Sequence, residues 1–214
     1  MILGHFGLAL AAKRFAPRTS LGTTVLAAQL VDTLWPVALL LGVERVRLQP
    51  GLLAASPLDF VHYPWTHSLL MGIVWGLLLG TLHFAIRRDG RAALVVGALV
   101  PSHFLLDVLV HRPDLPLWPG GPLVGLGGWH SLPITLALEA LFFGVGVLVY
   151  TQSTTPRRGR LLGFVAFLVV FYLAAIFGPP PPSEQMVAWG ALVLWLVPLY
   201  AAWVDRARPT DGAR

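Results

Sequence analysis

The sequence predicts an all-α, polytopic integral membrane protein with six transmembrane helices and an N-terminal half-helix. Three observations carry this. The 214 residues are 56% hydrophobic and only 12% charged, about half the charge of a soluble domain, which is roughly 25%. The apolar residues fall in six blocks, each near the about 20 residues a helix needs to cross a bilayer. The basic residues gather between alternate blocks, as the positive-inside rule requires. The net charge of +5 therefore reflects orientation in a lipid bilayer, and no nucleic-acid partner is expected.

Ile2–Ala12 is too short to span and reads as a half-helix or re-entrant segment, with His5 inside it. Its apolar run precedes Lys13 and Arg14 rather than following them, which is not the order of a secretory signal. The first span runs from about Leu21 to Leu41 and holds Gln29 and Asp32. Pro36 cannot donate to the Asp32 carbonyl, so a kink is expected there. Gly42–Tyr63 is a loop of balanced charge. The second span begins at Pro64-Trp65-Thr66-His67-Ser68 and ends at Ile86, before a turn with Arg87, Arg88 and Arg91.

Ala92–His111 is the third span. Arg112–Gly128 carries four prolines and five glycines, too many for a helix, and suits a cap over a site. Trp118 and Trp129 suit the membrane interface. Ser131–Tyr150, with Glu139 midway, is the fourth span. Leu161–Gly178 is the fifth and is apolar throughout. A polyproline connector leads to the sixth, Gln185–Val204, and a polar tail, Asp205–Arg214. Residues 1–150 thus read as the unit that carries polar chemistry, and 151–214 as two scaffold spans of the same domain.

With the N-terminal region in the cytoplasm, so are Lys13, Arg14, Arg18, Arg87, Arg88, Arg91, Arg157, Arg158, Arg160, Arg206, Arg208 and Arg214. Only Arg45, Arg47 and Arg112 are then outside, a division of twelve to three. Both termini are expected in the cytoplasm.

His103, Asp107 and His111 follow one another at i, i+4 and i+8. On a helix they share a sector roughly 80° wide. Ionisable residues at membrane depth are expensive and mark function by default. Imidazole and carboxylate together are ligands for zinc or a similar divalent ion, and the absence of cysteine removes thiolate from the ligand pool. A buried His–Asp hydrogen bond between helices is the competing reading. His111 reads either as a third ligand or as a loop histidine that supports the ligands. Asp32 needs a partner mid-span. His5 and His67 lie at depths from which they can converge with the others, while His83 is about 24 Å along its helix from His67. Glu139 is open between general base, ligand and packing partner.

Gly4-His5, Asp32 followed by Pro36, Thr66-His67-Ser68-Leu69-Leu70, Ser102-His103-x-x-x-Asp107 and Leu115-Pro116-Leu117-Trp118-Pro119 occur in that order. Over residues 1–150 the chain resembles the YdjM-like family of inner-membrane metal-dependent hydrolases, itself distantly similar to zinc-dependent phospholipase C. The resemblance implies a divalent metal, zinc first, held by His5, Asp32, His67, His103 and Asp107, in a bacterial-type inner membrane. It implies hydrolysis, with a lipid-like phosphoester as substrate by analogy, and Glu139, Asp114 or His111 as base or supporting group. Two departures stand out: only Asp32 represents the family's longer acidic motif, and the residue four after His130 is Ile134, not glutamate. A transporter that passes a metal or proton through the same groups is the alternative, with a non-catalytic interaction protein behind it. The lack of an internal repeat argues against the transporter.

Overall fold

Each apolar block folds as helix, because in lipid every backbone N–H and C=O must find its partner within the segment. The structure, a computed structural model, describes residues 1–206. Of the expected polar tail, residues 207–214, with Arg208 and Arg214, lie outside the described residues. Among the described residues, α1 is Leu3–Ala11, α2 Leu21–Ala28, α3 Leu30–Leu40, α4 Pro64–His67, α5 Leu69–Arg87, α6 Gly90–Val110, α7 Leu132–Ser153, α8 Arg158–Phe177, α9 Glu184–Ala191 and α10 Val197–Val204. Helices α5, α6, α7 and α8 are each long and apolar enough to cross a membrane. So is the continuous stretch Glu184–Val204, in which a 3₁₀ turn joins α9 to α10. The pair α2–α3, bent by 54°, passes the same test when taken together, as a broken span or a re-entrant loop. The protein is an integral membrane protein of helical, polytopic design.

The bend falls at Gln29, not at Pro36 as the sequence suggested. Pro36 lies within α3. At the break the Ala28 carbonyl accepts a bond from His103 Nδ1 at 2.9 Å, so a backbone group near the bend is satisfied by a side chain of α6. This places Asp32 in the first turn of α3.

The loop expected over Gly42–Tyr63 contains a two-stranded antiparallel ribbon, β1 (Arg45–Leu48) against β2 (Leu58–His62), with Val46 opposite Phe60 and Arg47 opposite Asp59. A second, smaller ribbon pairs β3 (Leu115–Pro116) with β4 (Leu123–Val124) inside the glycine- and proline-rich stretch. Arg112 ties the two together through its bonds to Asp59 and Asp114. The cap over the site is thus built from both loops. Trp118 is half exposed, and Trp129 is buried against His111.

α1 packs against α7, α2 and α6, with Phe6, Ala9 and Leu10 fully buried. It crosses α7 at Gly7 and Gly146: a Cβ on Gly7 would collide with the Phe142 carbonyl, and one on Gly146 with the Gly7 carbonyl. Only glycine allows this approach. Gly146→Val is expected to lower stability by about 1–3 kcal/mol or more, read as a fall in the melting temperature in detergent. Gly144→Ala, where a Cβ meets nothing, should leave it unchanged. Lys13, counted above among the loop charges, is buried at the end of this segment. It bonds to the Thr19 and Pro17 carbonyls and to Asp205 at 2.7 Å, latching the half-helix to the last span.

Candidate metal centre

Four helices contribute to one cluster. α6 supplies His103 and Asp107, α1 supplies His5, α3 supplies Asp32, and α4 supplies His67. His5, His103 and Asp107 offer ligand atoms within 4.8 Å of one another, and so do Asp32, His67 and His103. His103 belongs to both groups. All are buried except Asp32, whose side chain is 22% exposed.

Asp107 Oδ1 lies 3.0 Å from His5 Nε2, and its Oδ2 3.1 Å from His103 Nε2 and 3.9 Å from His111 Nε2. The Met1 nitrogen also bonds to Asp107 Oδ1. Asp32 Oδ1 lies 3.1 Å from His67 Nε2 and 3.6 Å from His103 Nε2. The His5 and His103 rings stack at 3.6 Å, only 7° from parallel.

The far sides of three rings define their tautomers. A carbonyl can only accept, so His103 Nδ1 carries the proton that bonds Ala28. Thr66 donates its hydroxyl to Glu44 Oε2 at 2.7 Å, so its oxygen accepts from His67 Nδ1, also at 2.7 Å. His111 Nδ1 donates to Asp114 Oδ1 at 3.0 Å, where the Tyr63 hydroxyl donates as well, at 2.9 Å. In each neutral ring the Nε2 lone pair then faces a carboxylate oxygen. Lone pair against lone pair is repulsive unless a cation lies between them, either a metal ion or the second proton of an imidazolium. These outward partners are the arrangement that orients and strengthens imidazole as a metal ligand. With no thiolate in the set, the donors suit zinc or another borderline divalent ion.

The structure brings together all five expected ligands. His111 joins at the edge, buried rather than on a surface loop. Burial, reinforced by Asp114, pushes the Tyr63 hydroxyl well up from its ordinary value. Asp114 is engaged by His111, Tyr63 and Arg112. Glu139 accepts from the Ile2 and Gly4 amides at 2.7 Å each, so it caps α1 and aims His5. Of the remaining histidines, His62 and His130 are exposed, and His83 lies beside Arg18 and Arg87, distant from the cluster.

Sequence reasoning missed Glu44 and Tyr63. Glu44 is buried and accepts from the Trp65 and Thr66 amides as well as from the Thr66 hydroxyl. The helix start at Pro64 has free amides that call for an acceptor, but nothing in the sequence points twenty residues back to supply it. The last two spans, read as scaffold, line a cavity of about 420 Å³ whose floor includes Asp32, His67, Asp107 and His111.

Fold and site together define an integral membrane protein with a buried histidine–aspartate cluster open to a cavity. No family model, no curated protein and no solved structure matches the chain.

Proposed function

We propose that the protein is a metal-dependent hydrolase of phosphoester substrates, embedded in a bacterial-type inner membrane and akin to the YdjM-like family. The observation that carries this is the set of Nε2 lone pairs of His67, His103 and His111 facing the Asp32 and Asp107 carboxylates, each ring anchored from behind. His5, Asp32, His67, His103 and Asp107 would hold the metal, as two overlapping groups that share His103. A divalent ion in such a set lowers the pKa of bound water to about 7 and polarises a phosphoryl oxygen.

His111 is the proton acceptor in this reading. Its Nδ1 proton is held on Asp114, and the residue lines the cavity beside Asp107. Asp114 and Tyr63 position it, and Glu139 positions His5. The division of basic residues puts the cluster in the outer half of the bilayer, with both termini in the cytoplasm.

Purified protein is expected to contain at least one zinc-like ion and to hydrolyse a chromogenic phosphodiester, with activity removed by chelator and restored by the metal. A tag within residues 120–128 should report the outer side. Flux of metal or protons across proteoliposomes without any hydrolysable substrate would overturn the hydrolase in favour of a transporter. A tag on the cytoplasmic side would invert the placement of the site.

A further inference from the structure

The cavity between α3, α8 and α9 is apolar along one side and polar at its floor. Its apolar wall includes Phe171, Ala175, Ile176, Val187, Gly190 and Leu194. Ala175 and Gly190 line it and are themselves exposed, on two stretches of helix long and apolar enough to cross a membrane. At about 420 Å³ it falls in the range of small-molecule sites, about 300–1,000 Å³.

Three buried polar atoms on residues lining the same cavity have no partner among the described residues: Gln29 Oε1, Trp35 Nε1 and Tyr172 Oη. Buried polar groups are nearly always bonded, and an exception calls for an explanation. Two donors and one acceptor, on residues that also line an apolar cavity beside the histidine–aspartate cluster, match a molecule with an oxygen-rich head and a long tail. A water-soluble phosphoester would leave the apolar wall unused, and a pure hydrocarbon would leave the three polar atoms unpaired.

We infer that the cavity binds the alkyl tail of an amphiphilic phosphoester drawn from the bilayer, its head on the histidine–aspartate cluster and its tail against α8 and α9. This rests on the hydrolase reading for the fate of the head, but not for the binding of the tail. The last two spans are then a substrate wall that sets chain-length preference.

Two readouts separate the inference from the reading beneath it. The first is photo-crosslinking of the metal-loaded protein with dodecyl phosphate carrying a diazirine at the end of its tail. Labelling that excess unlabelled dodecyl phosphate competes away is expected within residues 171–194. Gly190→Phe, at a position where a Cβ meets nothing, should abolish it while metal content and melting temperature stay unchanged. The second is turnover of dodecyl and of methyl p-nitrophenyl phosphate. The dodecyl ester should be preferred by about tenfold or more, and Gly190→Phe should remove that preference through KM. Competed labelling without turnover of either ester sustains the tail site and overturns the hydrolase. Turnover with competed labelling elsewhere, or with none, overturns the tail site whatever becomes of the hydrolase.

Discussion

Asp107→Asn is expected to empty the metal site while leaving the helices assembled. Three rings and the Met1 nitrogen converge on this carboxylate, at distances of 3.0 Å from His5, 3.1 Å from His103 and 3.9 Å from His111. Asparagine keeps the shape, but its amide donates to an imidazole lone pair where an ion would otherwise be held. Metal content should fall below detection, and phosphodiester turnover by at least about 100-fold, beyond what loss of an outward partner costs. Asp107→Ala adds a packing defect and strips a buried charged network of its centre, for about 3–5 kcal/mol of stability. His103→Ala should lose metal as well, since that ring belongs to both ligand groups. His83→Ala should keep both metal and stability. Elemental analysis and thermal melts read these effects together. Equal metal in the wild type, in Asp107→Asn and in His103→Ala would reduce the cluster to a set of helix-joining hydrogen bonds.

Glu44→Gln should weaken metal binding by about 10–100-fold, from a residue that touches no proposed ion. Glu44 Oε1 accepts two backbone amides, and Oε2 takes the Thr66 hydroxyl proton. An amide has one oxygen for these three donors. If the oxygen stays on the backbone, the NH₂ group faces Thr66, whose hydroxyl must turn and donate to His67 Nδ1. The His67 proton then moves to Nε2, 3.1 Å from Asp32, and that ring is lost as a ligand. If the amide flips, the backbone donors at Trp65 and Thr66 lose their acceptor and α4 is destabilised. The nitrogen shifts of His67 distinguish the two, and Glu184→Gln, at an exposed residue, is the control. A Glu44→Gln protein that melts earlier but binds metal as tightly as the wild type would make Glu44 a helix cap and nothing more.

Much of the cluster was legible because helical periodicity is local. His103, Asp107 and His111 share a stripe by spacing alone, and α6 does present all three inward. The half-helix around His5 was legible from its length. What was not legible depends on distant contacts. The Pro36 kink was a sound local argument, yet the chain bends at Gln29, near the Ala28 carbonyl that takes a bond from α6. Trp129 is of a type suited to the membrane interface, and its burial against His111 and Phe60 could be known only from contacts distant in the chain.

By itself the sequence determined a helical membrane protein of five or six crossings and the stripe of His103, Asp107 and His111, while the resemblance supplied His5, Asp32 and His67 as their fellow ligands. Apolar length and the cost of buried charge act on each segment without reference to the others. The tertiary structure alone decided that Glu44, Thr66 and Asp114 anchor the rings, that Glu139 caps α1, and that α8 and α9 wall a cavity. Hydrogen bonds and cavities form between segments far apart in the chain, and their partners carry no periodicity from which they can be read.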